Sequence, residues 1–361
     1  CCLFVFLGDE AIFGLEFPTK NSIGITVKVL RDMQTIIHYI SRYRLPQYNS
    51  IEELFGSIKV RIAEFYQTSW TELPKPGASL LSLWSNLKYV RPKKNNIYHI
   101  TGDVNYMGIR LGSKCILTVH DIQSALRGSA IKRWLIKQLW FSLSAKRVRF
   151  ITVISEFSKN ELEKVIPNQA HKIRVIYNPV NPAFRSEETF QFNQQCPTVL
   201  LMGTKTNKNL DGSIEALKDL NVQLLIVGPL SSLQIELLHK VKLKYSHREQ
   251  LKLHEVVDCY KQADLLCFPS FYEGFGMPII EAQAIGRPVL TSNHGAMSEI
   301  AGNAAELVDP NDTESIKRGI LNIINNAAHR AQLVEAGYEN VKRFSMEKTV
   351  EAYLDLYDNM N

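Results

Sequence analysis

The stretch FPSFYEGFGMPIIEAQAIG, residues 268–286, reads as the junction of a strand, a turn and a helix. The run DLLCF that ends at Phe268 is apolar without alternation, as in a strand covered on both faces. Gly274 and Gly276 then punctuate the chain, and Pro278 stands where a first helical turn needs no amide donor. Such a turn presents unpaired N–H groups and the positive end of a helix dipole, so it suits an anion. Glu273 precedes the turn and Glu281 lies about one turn inside the helix. A carboxylate accepts two hydrogen bonds from a vicinal diol and can hold a ribose or hexose edge. Taken together the residues read as a pocket for a sugar nucleotide, although glutamates eight apart beside a Gly-x-Gly turn also occur as plain turn chemistry.

Outward from this unit the same alternation repeats. Apolar runs at 198–203, 224–229, 288–292 and 305–309 surround it in the second half, and runs at 3–7, 97–100, 115–119, 150–154 and 173–176 mark the first. Strands separated by helix-like segments predict parallel sheets. The polar stretch 185–195 between the halves reads as a linker. The expected architecture is α/β, two Rossmann-like domains facing a cleft, over residues 1–184 and 185–345. Residues 25–96 carry an amphipathic helix near 51–66, and one continuous helix is expected over 316–343.

With 361 residues and 45% hydrophobic side chains there is material for two cores. The six cysteines show no C-x-x-C spacing, which points to a reducing compartment and no structural zinc. The net charge of +6 is mild but uneven, with seven Lys or Arg and no acid between Arg127 and Arg149. Within it, IKRWLIKQLWFSLSAKRVRF (131–150), with Trp134 and Trp140, suits either an anionic bilayer surface or a helix packed on a sheet; packing is the favoured reading. No basic stretch interleaves with an aromatic platform, so nucleic acid is not an expected partner. The apolar run 3–7 is too short for a signal segment or a membrane span.

The run from Pro269 through Ser292 to Glu299 resembles the family 4 retaining glycosyltransferases, whose signature is two glutamates separated by seven residues. The resemblance is strong over 198–310, fair over 97–183 and poor before 96. It implies the GT-B fold, with a C-terminal helix, residues 346–361, crossing back to the first domain. It assigns Glu273 to the transferred sugar and Glu281 to the ribose, and places the donor phosphates against Gly274, Phe275 and Gly276.

Further positions follow from the same likeness. His120 closes the strand-end TVHD, where residues line the crevice of an open sheet. A lone histidine is more often structural, but the family has one here touching the donor sugar. In GTKTNKNL, Gly203 opens a turn to Lys208, the family lysine that draws off diphosphate charge; the usual arginine is absent and Lys205 is its substitute. Gly228 falls where relatives hold the base through backbone groups, Gly24 in NSIG resembles the glycine loop near donor phosphate and acceptor, and NPVN (178–181) stands in for N-G-V-D. Ser155 or Ser158 caps the helix that follows in VISEFSKNEL, and Ser155 could also touch acceptor, with capping the favoured reading.

The chain contains no Asp-x-Asp, the metal-chelating device of the other main glycosyltransferase fold. No metal or cofactor is therefore expected, and the resemblance implies transfer of a hexosyl unit from a UDP- or GDP-sugar to a saccharide or lipid-linked acceptor. Cell-surface polysaccharide or glycolipid assembly is the expected setting, in the cytoplasm with peripheral contact to the inner face of an anionic membrane. The rivals are a sugar-nucleotide epimerase or phosphorylase of the same architecture, and an inactive nucleotide-sugar-binding partner subunit.

Overall fold

The computed structural model describes residues 35–44, 50–77, 79–122, 136–185 and 190–360. The first half runs β1 (Ile36–Ser41), α1 (Ser50–Ile62), β2 (Gln67–Glu72), α2 (Leu80–Tyr89), β3 (Asn96–Ile100), α3 (Met107–Leu111) and β4 (Cys115–Val119). A π-helical turn, Lys137–Ser142, then leads into α4 (Leu143–Arg147), β5 (Phe150–Val153), α5 (Glu156–Val165) and β6 (Ile173–Val175). The second half runs β7 (Thr198–Met202), α6 (Leu210–Leu217), β8 (Gln223–Val227), α7 (Ser232–Val241), β9 (Lys244–Arg248), α8 (Leu253–Gln262) and β10 (Leu265–Phe268). It continues through α9 (Met277–Ile285), β11 (Val289–Ser292), α10 (Gly295–Ala301), β12 (Glu306–Val308), α11 (Thr313–Asn325), α12 (Ala327–Val341) and α13 (Met346–Asp358). The strands form two parallel six-stranded sheets, ordered β2-β1-β3-β4-β5-β6 and β12-β11-β10-β7-β8-β9.

The elements around the 268–286 unit stand where the apolar runs predict them. Elsewhere the structure corrects the sequence reading. The expected first strand at 3–7 lies outside the described residues, and the strand IIHYIS, paired with both β2 and β3, was not foreseen. Its alternation hides behind polar residues that are satisfied locally: His38 bonds the Ser69 and Thr71 hydroxyls at 2.6 and 2.9 Å. The edge strand β9, KYSHR, was missed for its polarity. The single helix expected over 316–343 is two, because Asn326 leaves helical geometry and caps α12 through the amide of His329.

One face of the first sheet is covered by α2, α3 and α4, the other by α1 and α13. The segment 136–150 is a covering layer, in line with the packing reading: Trp140 stacks edge-on against Tyr106 at 5.2 Å and its indole N–H donates to the Asp103 carbonyl. Trp134 lies outside the described residues. The terminal helix α13 does cross back. Its Tyr357 hydroxyl bonds His99 Nδ1 at 2.6 Å and Tyr39 at 3.2 Å, while His99 Nε2 meets Thr118 Oγ1 at 2.8 Å. Burial pushes the His99 imidazole down to about 3, so it serves this chain of bonds as a neutral ring. No described helix is long and apolar enough to cross a membrane.

Candidate active site

Both sheets point the C-terminal ends of their strands at one cleft, the usual ligand position in open parallel sheets. From the second domain β10 delivers the 269–276 turn. Gly276, with φ at 102°, starts α9 in a conformation that side chains resist. Gly274 has a different constraint: an added Cβ would overlap the carbonyl oxygen of His120, so only glycine lets the two domains meet here. Its own carbonyl accepts from Ser155 Oγ at 2.7 Å and Ser158 Oγ at 3.0 Å, across the domain boundary. Ser155 also caps α5, as expected, by accepting from the Ser158 amide.

A second cross-domain contact sits beside this one. The two carboxylate oxygens of Glu299 on α10 accept the backbone N–H groups of Glu156 and Phe157, each at 2.8 Å, at the start of α5. A carboxylate at a helix N-terminus satisfies orphan donors and complements the dipole. Glu299→Gln, which can accept at one atom only, is expected to cost about 1–2 kcal/mol of stability. A thermal melt of the ligand-free protein checks this, and an unchanged midpoint would remove Glu299 from the domain contact.

Lys208 reaches the same turn from β7. Its ammonium lies 2.8 Å from Glu273 Oε1 and 4.8 Å from the centre of the Phe268 ring. Gly203, φ 86°, gives its stem room; a Cβ there would stand 3.1 Å from the lysine carbons. The 203–209 loop is stitched to the turn by Asn207, whose amide donates to the Tyr272 carbonyl at 3.0 Å and whose carbonyl accepts from Phe271 N at 2.8 Å. Glu281, on α9, accepts from the Tyr260 hydroxyl at 2.6 Å. Burial pushes its carboxyl up to about 7, while the Tyr260 hydrogen bond and the Lys208 charge pull it back.

From the first domain comes His120, just past β4. Its Nε2 donates to the Thr101 carbonyl at 2.7 Å, which leaves Nδ1 without the proton in the neutral ring. Burial holds the imidazole below its ordinary value; Asp103 and Glu52 raise it, and Arg42, ion-paired to both, lowers it.

These side chains converge on a cavity of about 460 Å³ between the domains. His120, Lys208, Glu273, Gly274, Phe275, Gly276 and Glu281 all line it. Asn178, Pro179 and Asn181 of the NPVN element do so too. Gly203, Lys205 and Gly228 do not. Gly203 acts through the stem of Lys208, Lys205 is exposed, and Gly228 packs on Thr204 while its carbonyl accepts from His247 Nε2 at 2.6 Å. Gly24 lies outside the described residues. The sequence reading missed Glu53 and Ser57 of α1 and Asp121, which form the first-domain wall. It also missed Tyr260. Spacing four apart marks Glu53 and Ser57 as one helix face, but solvated faces look alike.

The family described as Glycosyltransferase Family 4 matches residues 39–184, and that described as Glycosyl transferases group 1 matches residues 185–340. An uncharacterized glycosyltransferase of Methanocaldococcus jannaschii is 30% identical over 253 residues, covering 68% of this chain and 68% of that protein. The chain belongs to glycosyltransferase family 4. The O-antigen chain mannosyltransferase B of Escherichia coli is 27% identical over 292 residues, 73% of this chain and 75% of the relative. Among solved structures, Anabaena HepE in complex with UDP and glucose superposes with a TM-score of 0.72 at 14% identity, over 90% of this chain and 100% of the other. The two facing sheets of this family 4 glycosyltransferase are thus the GT-B fold, with its cavity at the junction of the two matched spans.

Proposed function

We propose that this family 4 enzyme transfers a hexosyl unit, with retained anomeric configuration, from a nucleoside-diphosphate sugar to a saccharide or lipid-linked acceptor. Assembly of a cell-surface polysaccharide or glycolipid is the proposed setting, at the cytoplasmic face of a membrane. The observation that carries the reading is the convergence of Lys208, Glu273, Glu281 and His120 on one interdomain cavity. In this scheme the diphosphate lies against the amides at the start of α9 and the Lys208 ammonium, which meet charge developing as the sugar–phosphate bond opens. Glu281 grips the ribose diol. Glu273 orients the sugar ring and His120, neutral, supports it from the opposite domain. An acceptor hydroxyl enters along the Glu53–Asp121 wall and adds to the oxocarbenium-like carbon, its proton leaving to the departing phosphate oxygen. Contact of the two domains at Gly274 keeps water from the same carbon.

UDP- and GDP-linked sugars are the proposed donors. HepE is a UDP and glucose complex and the E. coli relative is a mannosyltransferase, so both bases belong in the test. The right donor is expected to raise the melting temperature by an amount that grows with the logarithm of its concentration over its dissociation constant. Product analysis then separates the rivals. Donor altered without acceptor would make the protein an epimerase, and donor bound but never consumed would make it a binding subunit. No cofactor or metal enters the scheme, since lysine and helix amides take the charge that a chelated cation would take. Activity is expected to be unchanged after EDTA treatment, and its abolition with rescue by a divalent cation would overturn the metal-free scheme.

A further inference from the structure

We propose that the outer face of α2 is a docking surface for an anionic lipid bilayer. The helix is fixed in orientation by its inner side: Leu83 and Leu87 pack on the first domain's core. Asn86 is fully buried, bonding the Tyr106 hydroxyl at 2.8 Å and both backbone groups of Lys75. Helical periodicity then sends Leu80, Leu81 and Trp84 outward along one stripe. They are 84%, 81% and 60% exposed, with Tyr89 at 58% on the flank. Two leucines and a tryptophan held in water side by side have no role in the core, and such a patch marks a contact surface.

The charge around the stripe says what it contacts. Five Lys or Arg and no acid lie between Glu72 and Asp103, and residues 73–155 hold fourteen basic residues against two acidic ones. Arg91, Lys93 and Lys94 are exposed directly after α2, and Lys114 bonds the Lys94 carbonyl, which brings it into the same cluster. Lys88 lies 3.6 Å over the Trp84 ring. Lys146 and Arg147 are exposed on α4, in the same layer over the sheet. Exposed apolar side chains on one face of the helix, with a cation over Trp84 and a basic cluster beyond the helix's C-terminal end, suit an interface with anionic lipid. A second copy of this chain fits less well, because a two-fold contact through this face would set one basic field against an identical one.

The connection β2–α2–β3 joins parallel strands, so α2 starts at the end of the sheet where strands finish. Leu80 and Leu81 therefore lie toward the cleft end of the first domain. The inference rests on the proposed reading in one respect, that the acceptor is held at a membrane; the docking itself is measured without donor or acceptor.

The test is flotation of the full chain with phosphatidylcholine vesicles, with and without about one third phosphatidylglycerol, at about 0.1 M salt. Wild type is expected to bind anionic vesicles at least about tenfold more tightly than neutral ones. L81E/W84E is expected to lose about tenfold or more of that binding through the apolar term, and K93E/K94E a similar amount together with most of the salt dependence. All four positions are exposed, and unchanged melting curves would show that both variants fold. Absence of wild-type binding would overturn the proposal, as would full retention of binding by L81E/W84E. Concentration-dependent dimerisation abolished by L81E/W84E, without vesicle binding, would assign the face to a second copy instead. Donor-induced melting shifts decide the transferase reading separately, so the two can fail independently.

Discussion

Lys208→Ala is expected to lower kcat by about 10²–10³-fold while changing donor affinity by less than about threefold. The asymmetry comes from where the ammonium sits. In the ligand-free site it is already neutralised by Glu273 at 2.8 Å and lies over the Phe268 ring, so an intact diphosphate diester gains little from it. As the sugar–phosphate bond opens, negative charge grows on the departing oxygen and the lysine becomes worth more than in the ground state, which is the condition for raising kcat. The variant has a confounding effect, since it strands the half-buried Glu273 carboxylate without its counter-ion. The double variant K208A/E273Q should recover the melting temperature, and its rate, compared with that of E273Q alone because Glu273 itself orients the sugar, should still fall by a similar factor. Equal losses in rate and affinity would reduce Lys208 to a ground-state contact, and near-normal turnover would remove it from the reaction.

What could be read in the sequence was what repeats or what is apolar. The unit at 268–286 was legible because a buried strand, a two-glycine turn and a small-residue helix each obey local rules, and the structure places Glu273 and Glu281 on one cavity as that reading requires. Lys208 was legible from its turn; the reason for Gly203, room for the lysine stem, was not. Strand β1 escaped because His38 and Tyr39 find partners in neighbouring strands and in α13, so the apolar pattern that signals a strand is interrupted without cost. Pairings at long separation were invisible for a simpler reason. Tyr260 meets Glu281 from 21 residues away and Glu299 meets Phe157 from 142, and neither distance leaves a periodic trace in one chain. Ser155 shows a partial reading: its capping role was local and foreseeable, its grip on the Gly274 carbonyl was not.

Donor binding is expected to weaken by up to about tenfold for each pH unit below about 7, and Glu281→Gln is expected to flatten that profile. Glu281 carries this expectation because burial holds its carboxyl up at about 7 despite the Tyr260 hydroxyl and the Lys208 charge. Only the ionised form offers acceptors alone to a ribose diol; the protonated form turns one oxygen into a donor. His120 does not mimic the effect near neutrality, since its burial keeps it uncharged there. Stability runs the other way. The folded-state value lies above the ordinary 4.5, so the folded chain holds this proton more tightly than the unfolded one. That contribution is complete below the ordinary value and is lost as pH rises through about 7. Glu281→Gln keeps an acceptor for Tyr260 and carries no charge, so its melting temperature relative to wild type should rise between about pH 5 and about pH 8 while its donor affinity at the upper end falls. Glu281→Ala should weaken donor by about tenfold or more above about pH 7, the worth of a hydrogen bond to a charged group, and the deficit relative to wild type should shrink as pH falls and the wild-type carboxyl takes its proton. A wild-type donor affinity that is level across this range, or one that Glu281→Ala leaves unchanged, would take the ribose role from this residue. A rise in the relative stability of Glu281→Gln without any change in donor binding would leave a strained buried acid at the cleft with no ligand to account for it.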